Sequence, residues 1–518
     1  MVSVRVLKDD PQFGADSRWS WISAFFCCCV LFLALATPRV SGIFFYGIVE
    51  TFMVSREDAS WPVGLAGTLM ALAGPIVGDM CGRYSCRVVL ITCSALAGIG
   101  SALCYLAENL LFIIISFGVV HGCALCGLYV ASNVLLAQHF EKRRATACSL
   151  VYTVSGLNTV VLPPLVEFFR TMYGVRGAFL LYGAVMLHAL PSVILLRSPP
   201  WLSKPERRSK AAASVDAKNH TNGIHLLNHE ADEGDGTAKV RKDEFALQVK
   251  HPTSCHKASS PLKPHQNGAT AFHMKSRLKT GNALERSNCG STARQFLTLT
   301  FLIHGLSFAV IIFTTNVFVM TPADLARDRG MNPSDSVYVL QAFSVTDVAF
   351  RAIVGIAIDS RTLSLESVML LGFALQGLAF EWLVWVGTLS QMVAAAAFLG
   401  ATCGSRMCLQ APAMVRDFGI GTLPMMMGGL SFFTGVFLLA RPPLIGYFRD
   451  ARGDYSGLFH LMAALNALFV FIWAAKVVAR RKATSPPPMK PSDSTQERKI
   501  DSLLSTAPDS SMETTSAA

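Results

Sequence analysis

Apolar stretches long enough to cross a bilayer recur at about 22–47, 62–81, 88–107, 110–136, 146–168 and 177–196. They resume at about 296–320, 337–358, 366–386, 390–415, 424–446 and 457–479. A hydrocarbon core roughly 30 Å thick needs about 20 helical residues at 1.5 Å each, so every run predicts one transmembrane helix. The pattern is six runs, a polar interval and six more. It predicts an all-α membrane protein of twelve transmembrane helices. The divisions are an N-terminal segment 1–21, a first bundle 22–197, a linker 198–295, a second bundle 296–482 and a tail 483–518. The linker is rich in Lys, Ser, His, Asn and Gly and has no sustained apolar period, and it reads as disordered, like the tail. His220, His225 and His229 lie within it without cysteine pairs at zinc spacing, so they read as scattered polar residues.

Two stretches repeat. Pro163-Pro-Leu-Val-Glu-Phe-Phe-Arg-Thr-Met-Tyr-Gly174 returns as Pro442-Pro-Leu-Ile-Gly-Tyr-Phe-Arg-Asp-Ala-Arg-Gly453, each copy closing the fifth run of its set. A weaker echo places Gly74, Asp79 and Arg83 after the second run against Gly355, Asp359 and Arg361 after the eighth. The halves therefore repeat in the same order and sense. Parallel six-helix repeats with a site between them near the midplane resemble the plan of major facilitator transporters.

Basic residues collect in alternate loops: Arg5, Lys8 and Arg18 before the first run, Arg83 and Arg87 after the second, Lys142, Arg143 and Arg144 after the fourth, then the linker, then Arg480, Arg481 and Lys482. Both termini and the central interval are accordingly expected on the cytoplasmic side. That distribution also accounts for the net charge of +11 without nucleic-acid binding. The chain is 52% hydrophobic and 15% charged, against about 25% charged for globular domains. Fourteen cysteines sit mostly inside apolar runs at irregular spacing and form neither a disulfide framework nor a metal site. The polar start and the long first run are not those of a cleavable leader. No Gly-rich phosphate-cradling loop is present, so the energy for any transport must come from gradients, and nothing calls for a cofactor. Gly64, Gly67, Gly98 and Gly100 are expected to let helix backbones approach closely.

The chemistry concentrates in the eighth run. Asp347 and Arg351 stand four residues apart, on one helix face. Asp347 lies roughly 15 Å along that helix, near the bilayer midplane, where each charge costs on the order of 3 kcal/mol. Such a pair must face a bundle interior or an aqueous cavity. It can receive an anion at Arg351 and a proton at Asp347, or it can be a permanent ion pair that fixes packing. Arg406 and Arg441 are further embedded cations, the first placed to line a cavity and the second to line or to snorkel. Glu381 reads as interfacial, and His121 and His304 as hydrogen-bonded packing residues. Phe44, Phe45 and Trp61 belong to a gate or to an aromatic belt. Lys142, Arg143 and Arg144 set topology and meet anionic lipid.

Several segments together resemble the monocarboxylate transporter family, over about 16–200 and 296–482. Its helix 1 signature, acidic-Gly-Gly-Trp-Gly-Trp, is similar to Asp16-Ser-Arg-Trp19-Ser-Trp21, which lacks both glycines. Its helix 5 signature is matched at the cytoplasmic half by His139-Phe140-Glu-Lys142-Arg143, whereas Ser149, Val151, Thr153 and Val154 replace deeper small residues. Gly82-Arg83-Tyr-Ser85-Cys-Arg87 resembles the loop 2–3 motif, and the stretch from Arg441 to Tyr455 resembles the end of helix 11. The resemblance implies a substrate site made of Asp347, Arg351 and a helix 1 lysine, the last position being Arg39 here. Arginine stays protonated at any accessible pH, so Arg39 can steer or pair an anion but cannot release a proton as lysine can.

Three functions follow. The first is proton-linked cotransport of a lactate- or pyruvate-like monocarboxylate, with Arg351 and Arg39 on the carboxylate and Asp347 carrying the proton. Arg406, Arg441, Phe44 and Phe45 are then candidates to line the path. The second is proton-independent passage of a larger carboxylate such as an aromatic amino acid. The third is a non-transporting sensor that signals through the linker. The resemblance also implies a plasma-membrane protein in a lipid bilayer, with a single-span immunoglobulin-like partner in some relatives.

Overall fold

A computed structural model of the chain describes residues 10–199, 201, 294–332 and 335–484. Most of the 198–295 linker with its histidines, the tail from 485 and residues 1–9 lie outside the described residues. Ten helices there are long and apolar enough to cross a membrane. The bent pair Glu57–Leu72 and Gly74–Arg83, turned by 48°, makes an eleventh. The continuous stretch Arg144–Leu195 is interrupted at Gly174, whose φ is 69°, and so supplies two crossings. The total is twelve, as the apolar runs predict.

We label them α1 (Arg18–Phe52), α2 (Glu57–Arg83 with its bend), α3 (Cys86–Leu106), α4 (Leu110–His139), α5 (144–173), α6 (175–195), α7 (Leu299–Met320), α8 (Ser336–Asp359), α9 (Leu365–Val384), α10 (Leu389–Phe418), α11 (Leu423–Arg449) and α12 (Ser456–Thr484). Side-chain oxygens of Ser17, Ser55, Ser85, Thr298, Ser364 and Thr388 accept backbone N–H groups at helix starts. These donors would otherwise lack partners at an apolar end. The repeated sequence has a repeated conformation. Gly174 and Gly453 close its two copies at φ 69° and 82°, where a β-carbon would be strained.

Helix α1 is broken at Leu35–Ala36, where Pro38 opens the second segment without an amide proton to continue the ladder. A hydrogen-bonded set braces the break. Thr37 Oγ1 lies 3.0 Å from His121 Nε2 and 2.8 Å from the Tyr182 hydroxyl, and His121 Nδ1 lies 2.7 Å from Ala97 O. His121 ends a π-helical stretch, Ile114–His121. It is a packing residue, as the sequence suggested.

The halves meet along two seams. In one, α2 crosses α11 so closely that a β-carbon at Gly74 would collide with Gly428 O. The first half's core continues through it into Met426, Met427 and Leu430. In the other, α5 crosses α8, where a β-carbon at Gly355 would strike Ser149 and Ala145 O. Gly98 and Gly100 are tight as expected, but β-carbons at Gly64 and Gly67 would meet nothing within 4 Å. Those two glycines are a correction: their face of α2 has no close neighbour.

Candidate functional site

Asp347 and Arg351 are brought together one turn apart on α8. Arg351 Nη2 donates to Asp347 Oδ2 at 2.6 Å and Nε to Oδ1 at 3.2 Å, a two-pronged contact. Both residues are buried, 4% and 6% exposed. Helix α10 covers the pair because Gly400 and Gly404 bring its backbone against Phe343 O and Asp347 O. The remaining side is the other half: Arg351 Nη1 donates to Tyr152 O of α5 at 3.3 Å. Ser149, one of the replacements in the helix 5 signature, donates to Arg351 O and accepts from Gly355 N at 3.2 Å. The pair therefore sits where the α5–α8 seam ends.

That seam continues to the basic end of the molecule. Asp359, at the end of α8, accepts from Thr146 N at 2.7 Å and Ala145 N at 3.3 Å. A carboxylate of one half thus caps the first turn of a helix in the other, where helix charge favours an anion. At the opposite end the described ion pairs stay within a half: Arg170 with Glu50 and Glu167, Arg449 with Asp328, His460 with Glu381. Arg39 is solvent-exposed on α1, yet it lies within electrostatic reach of Arg351 and Asp347. A second guanidinium, from the first half, thus lies within electrostatic reach of the pair.

The other candidates are dispersed. Phe44 is fully buried in the first half's core, stacked at 4.3 Å on Phe179. Phe45 is half-buried beside Tyr46, and Trp61 is exposed as a belt residue would be. Arg441 donates to Asn316 Oδ1 at 3.2 Å within the second half. Arg406 is buried inside that half against Phe373. Glu381 pairs with His460 near the end of α9.

Sequence reasoning missed one charged cluster. His304 Nε2 is 2.7 Å from Asp417 Oδ2, which Lys476 reaches at 3.2 Å, while Arg416 joins Asp417 to Glu366. These residues stand at the ends of α7, α9, α10 and α12, where charges read as interfacial. Only the packing of four helix ends reveals them as a network. Two hydroxyl links were equally hidden: the Tyr129 hydroxyl of α4 donates to Gln410 Oε1 of α10 at 2.9 Å, and the Tyr152 hydroxyl to Asn133 Oδ1 at 3.0 Å. No His, Cys, Asp or Glu grouping able to hold a metal occurs among the described residues.

The sequence pattern of the Major Facilitator Superfamily matches residues 14–273. Monocarboxylate transporter 9 of Pongo abelii is 24% identical over 492 residues, covering 90% of this chain and 94% of that protein. Monocarboxylate transporter 3 of Gallus gallus is 22% identical, covering 94% and 85%. Monocarboxylate transporter 14 of Homo sapiens is 24% identical, covering 90% and 92%. Among solved structures, the E. coli fucose:proton symporter FucP superposes with a TM-score of 0.61 at 12% identity, over 88% of this chain and 99% of that one. The proton:xylose symporter XylE gives 0.60 at 12% identity, over 88% and 95%. At those identities the two structures speak for the fold. The relatives are transporters, not enzymes. The chain belongs to the Major Facilitator Superfamily, as a multi-pass membrane transporter related to the monocarboxylate transporters.

Proposed function

We propose that the protein carries small monocarboxylates of the lactate or pyruvate kind together with a proton, by alternating access. The observation that carries this reading is the buried two-pronged Asp347–Arg351 pair at the seam, with Arg39 of the first half within electrostatic reach of it. Asp347 occupies the Nε/Nη2 edge of Arg351 and Tyr152 O takes a bond from Nη1, so a substrate carboxylate that takes that two-pronged edge must displace Asp347. Protonating Asp347 removes its charge and frees two guanidinium donors for the incoming anion. Proton and anion then enter one for one. Leaving either charge alone at this depth is costly, which ties the two events together.

The closed end carries Arg83, Lys142 and Arg143 and is assigned to the cytoplasm by the positive-inside rule. The described arrangement is then outward-facing. Rocking of the bundles 22–197 and 296–482 would part the seams at Gly74 and Gly355 and carry the site across. Residence in the plasma membrane, cytoplasmic termini and an immunoglobulin-like partner are further parts of the proposal, supported by the resemblance. Arg39 favours a second reading. It stands where the family has a proton-releasing lysine, which allows a uniporter of a larger carboxylate such as an aromatic amino acid.

Uptake of radiolabelled lactate, pyruvate and aromatic amino acids into expressing oocytes decides between them, at about pH 6 and about pH 7.5, below and above an unperturbed histidine. The proton-linked reading expects acid-stimulated uptake of lactate or pyruvate that Asp347→Asn abolishes at equal surface expression. Uptake of an aromatic amino acid indifferent to pH would replace it with the uniporter. Surface protein without any uptake would return attention to the sensor.

A further inference from the structure

The outer face of the first half carries a groove of about 460 Å³. Its floor is α1, where small alanine and cysteine side chains stand between the large ones of Trp21, Phe25 and Phe32. Leu150 and Val154 of α5 form one wall, and His188 of α6 lies on the other side. Helix α5 turns Ser149 and Gly156 toward α8, which leaves Leu150 and Val154 on a different face. Those two and Phe25 are exposed, so the groove opens to the surroundings of the bundle. The polar exception in its lining, His188, has its Nδ1 2.9 Å from Ala184 O of its own helix.

Length and volume state what fits. From Trp21 to Phe32 is about 17 Å of helix at 1.5 Å per residue, close to half of a hydrocarbon core roughly 30 Å thick. The groove therefore follows one leaflet, the one at the basic end, where α1 begins. At about 30 Å³ for each water-sized group it holds roughly fifteen of them, a hydrocarbon chain of ordinary length. Water would find too few partners on these walls, whereas a chain is what the leaflet supplies. The mouth adds charge. Arg18 precedes Trp21 by three residues and Phe25 by seven, and Arg143 precedes Leu150 by seven and Val154 by eleven. At 3.6 residues per turn each cation stands on the groove face of its helix. Both are exposed. Asp16, two residues before Arg18, accepts from Arg143 N at 3.0 Å, so the two cations leave neighbouring points of backbone. The acids beside them are Asp16 and Asp359, both turned to backbone amides, and Glu141; Arg18, Lys142, Arg143 and Arg144 outnumber them.

We propose that the groove between α1, α5 and α6 is a binding site for an anionic phospholipid of the leaflet at the basic end. One acyl chain lies along Trp21, Phe25 and Phe32, and the headgroup meets Arg18 and Arg143. A basic surface beside the bilayer draws anionic headgroups in preference to neutral ones. A sterol could fill the groove, but it would leave both cations unused. The site is on the lipid-facing side, apart from the Asp347–Arg351 pair, and does not depend on which substrate is carried.

The test places the full-length protein in phosphatidylcholine nanodiscs with a trace of phosphatidylserine that carries a diazirine midway along one acyl chain. After illumination, the labelled peptides are read by mass spectrometry. The expected result is label concentrated on the α1 and α5 segments around Phe25, Leu150 and Val154. Unlabelled phosphatidylserine should compete it away at a several-fold lower fraction than added phosphatidylglycerol-free neutral lipid or cholesterol. Arg18→Gln and Arg143→Gln should each weaken labelling roughly fivefold, the worth of one cation near a lipid surface. Val154→Trp, at an exposed position, fills the groove and should remove the label with both cations still in place. Label spread evenly over the outer helices would overturn the proposal, as would labelling that survives Val154→Trp. Cholesterol competing better than phosphatidylserine would overturn it in favour of a sterol site, and labelling unchanged in both glutamine variants would remove the role of charge and with it the proposal.

Discussion

Single residues show how much a position can say by its type alone. A carboxylate and a guanidinium four apart in an apolar run announce a pair, and they form one, because helix geometry sets both side chains on one face within reach of each other. Arg39 announces a cation in α1, but its bearing on Arg351 and Asp347 comes from the fold. Substituting lysine there is informative, since an ammonium can shed its proton when desolvated and a guanidinium cannot. Arg39→Lys is expected to steepen the acid dependence of uptake, measured as the ratio of initial rates at about pH 6 and pH 7.5. An unchanged ratio would place the proton on Asp347 alone. Arg406 teaches the converse. Its residue type marks it as a path-lining candidate, whereas packing encloses it within the second half, and its missing counter-charge becomes visible only with every neighbour in place.

At the scale of elements, stretches far apart in sequence turn out to be one structural unit. The acid of the helix 1 signature, Asp16, accepts from the backbone N–H groups of Glu141, Lys142 and Arg143 at 3.2, 2.8 and 3.0 Å. Trp21 meets Phe140 edge-on at 5.0 Å. The two signatures that carry the family resemblance are thus two sides of a single joint holding the start of α5, whose first turn Asp359 caps from the other half. Removing the acceptor strands three amides. Asp16→Ala is expected to cost about 1–3 kcal/mol, read as a lower melting temperature in detergent, with Asp16→Asn intermediate because one carbonyl oxygen remains. The apolar runs placed the helices to within a few residues, since length and hydropathy are local properties. The split at Gly174 falls between two of the runs, but the break in α1 and the bend in α2 lie inside theirs, where proline and glycine mark a weak point without stating which way the chain turns.

For the whole molecule, the two seams act on one equilibrium. Gly74 against Gly428 and Gly355 against Ser149 are the points at which the basic end is shut, so a side chain at either glycine should wedge that end open. Gly74→Val and Gly355→Val are each expected to lengthen the distance between spin labels at Arg144→Cys and Arg361→Cys in a background with exposed cysteines replaced. Each should shift the closed population by about tenfold or more, roughly 1.4 kcal/mol. The double variant should multiply the shifts, because the seams are separate contacts on a shared motion. A wedge that leaves the label distance unaltered would show that the seam does not govern closure. The sequence by itself determined the twelve apolar helices, the parallel repeat and the one-turn spacing of the Asp347–Arg351 pair. Hydrophobic length, internal repetition and the helical i,i+4 spacing all act along the chain or within one helix. Which helices touch, which end is shut, that Arg39 comes within electrostatic reach of the pair and that Arg406 is walled in with Gln410 were decided only by tertiary structure. Those facts depend on backbone approaches between segments hundreds of residues apart, which no local pattern of residue types encodes.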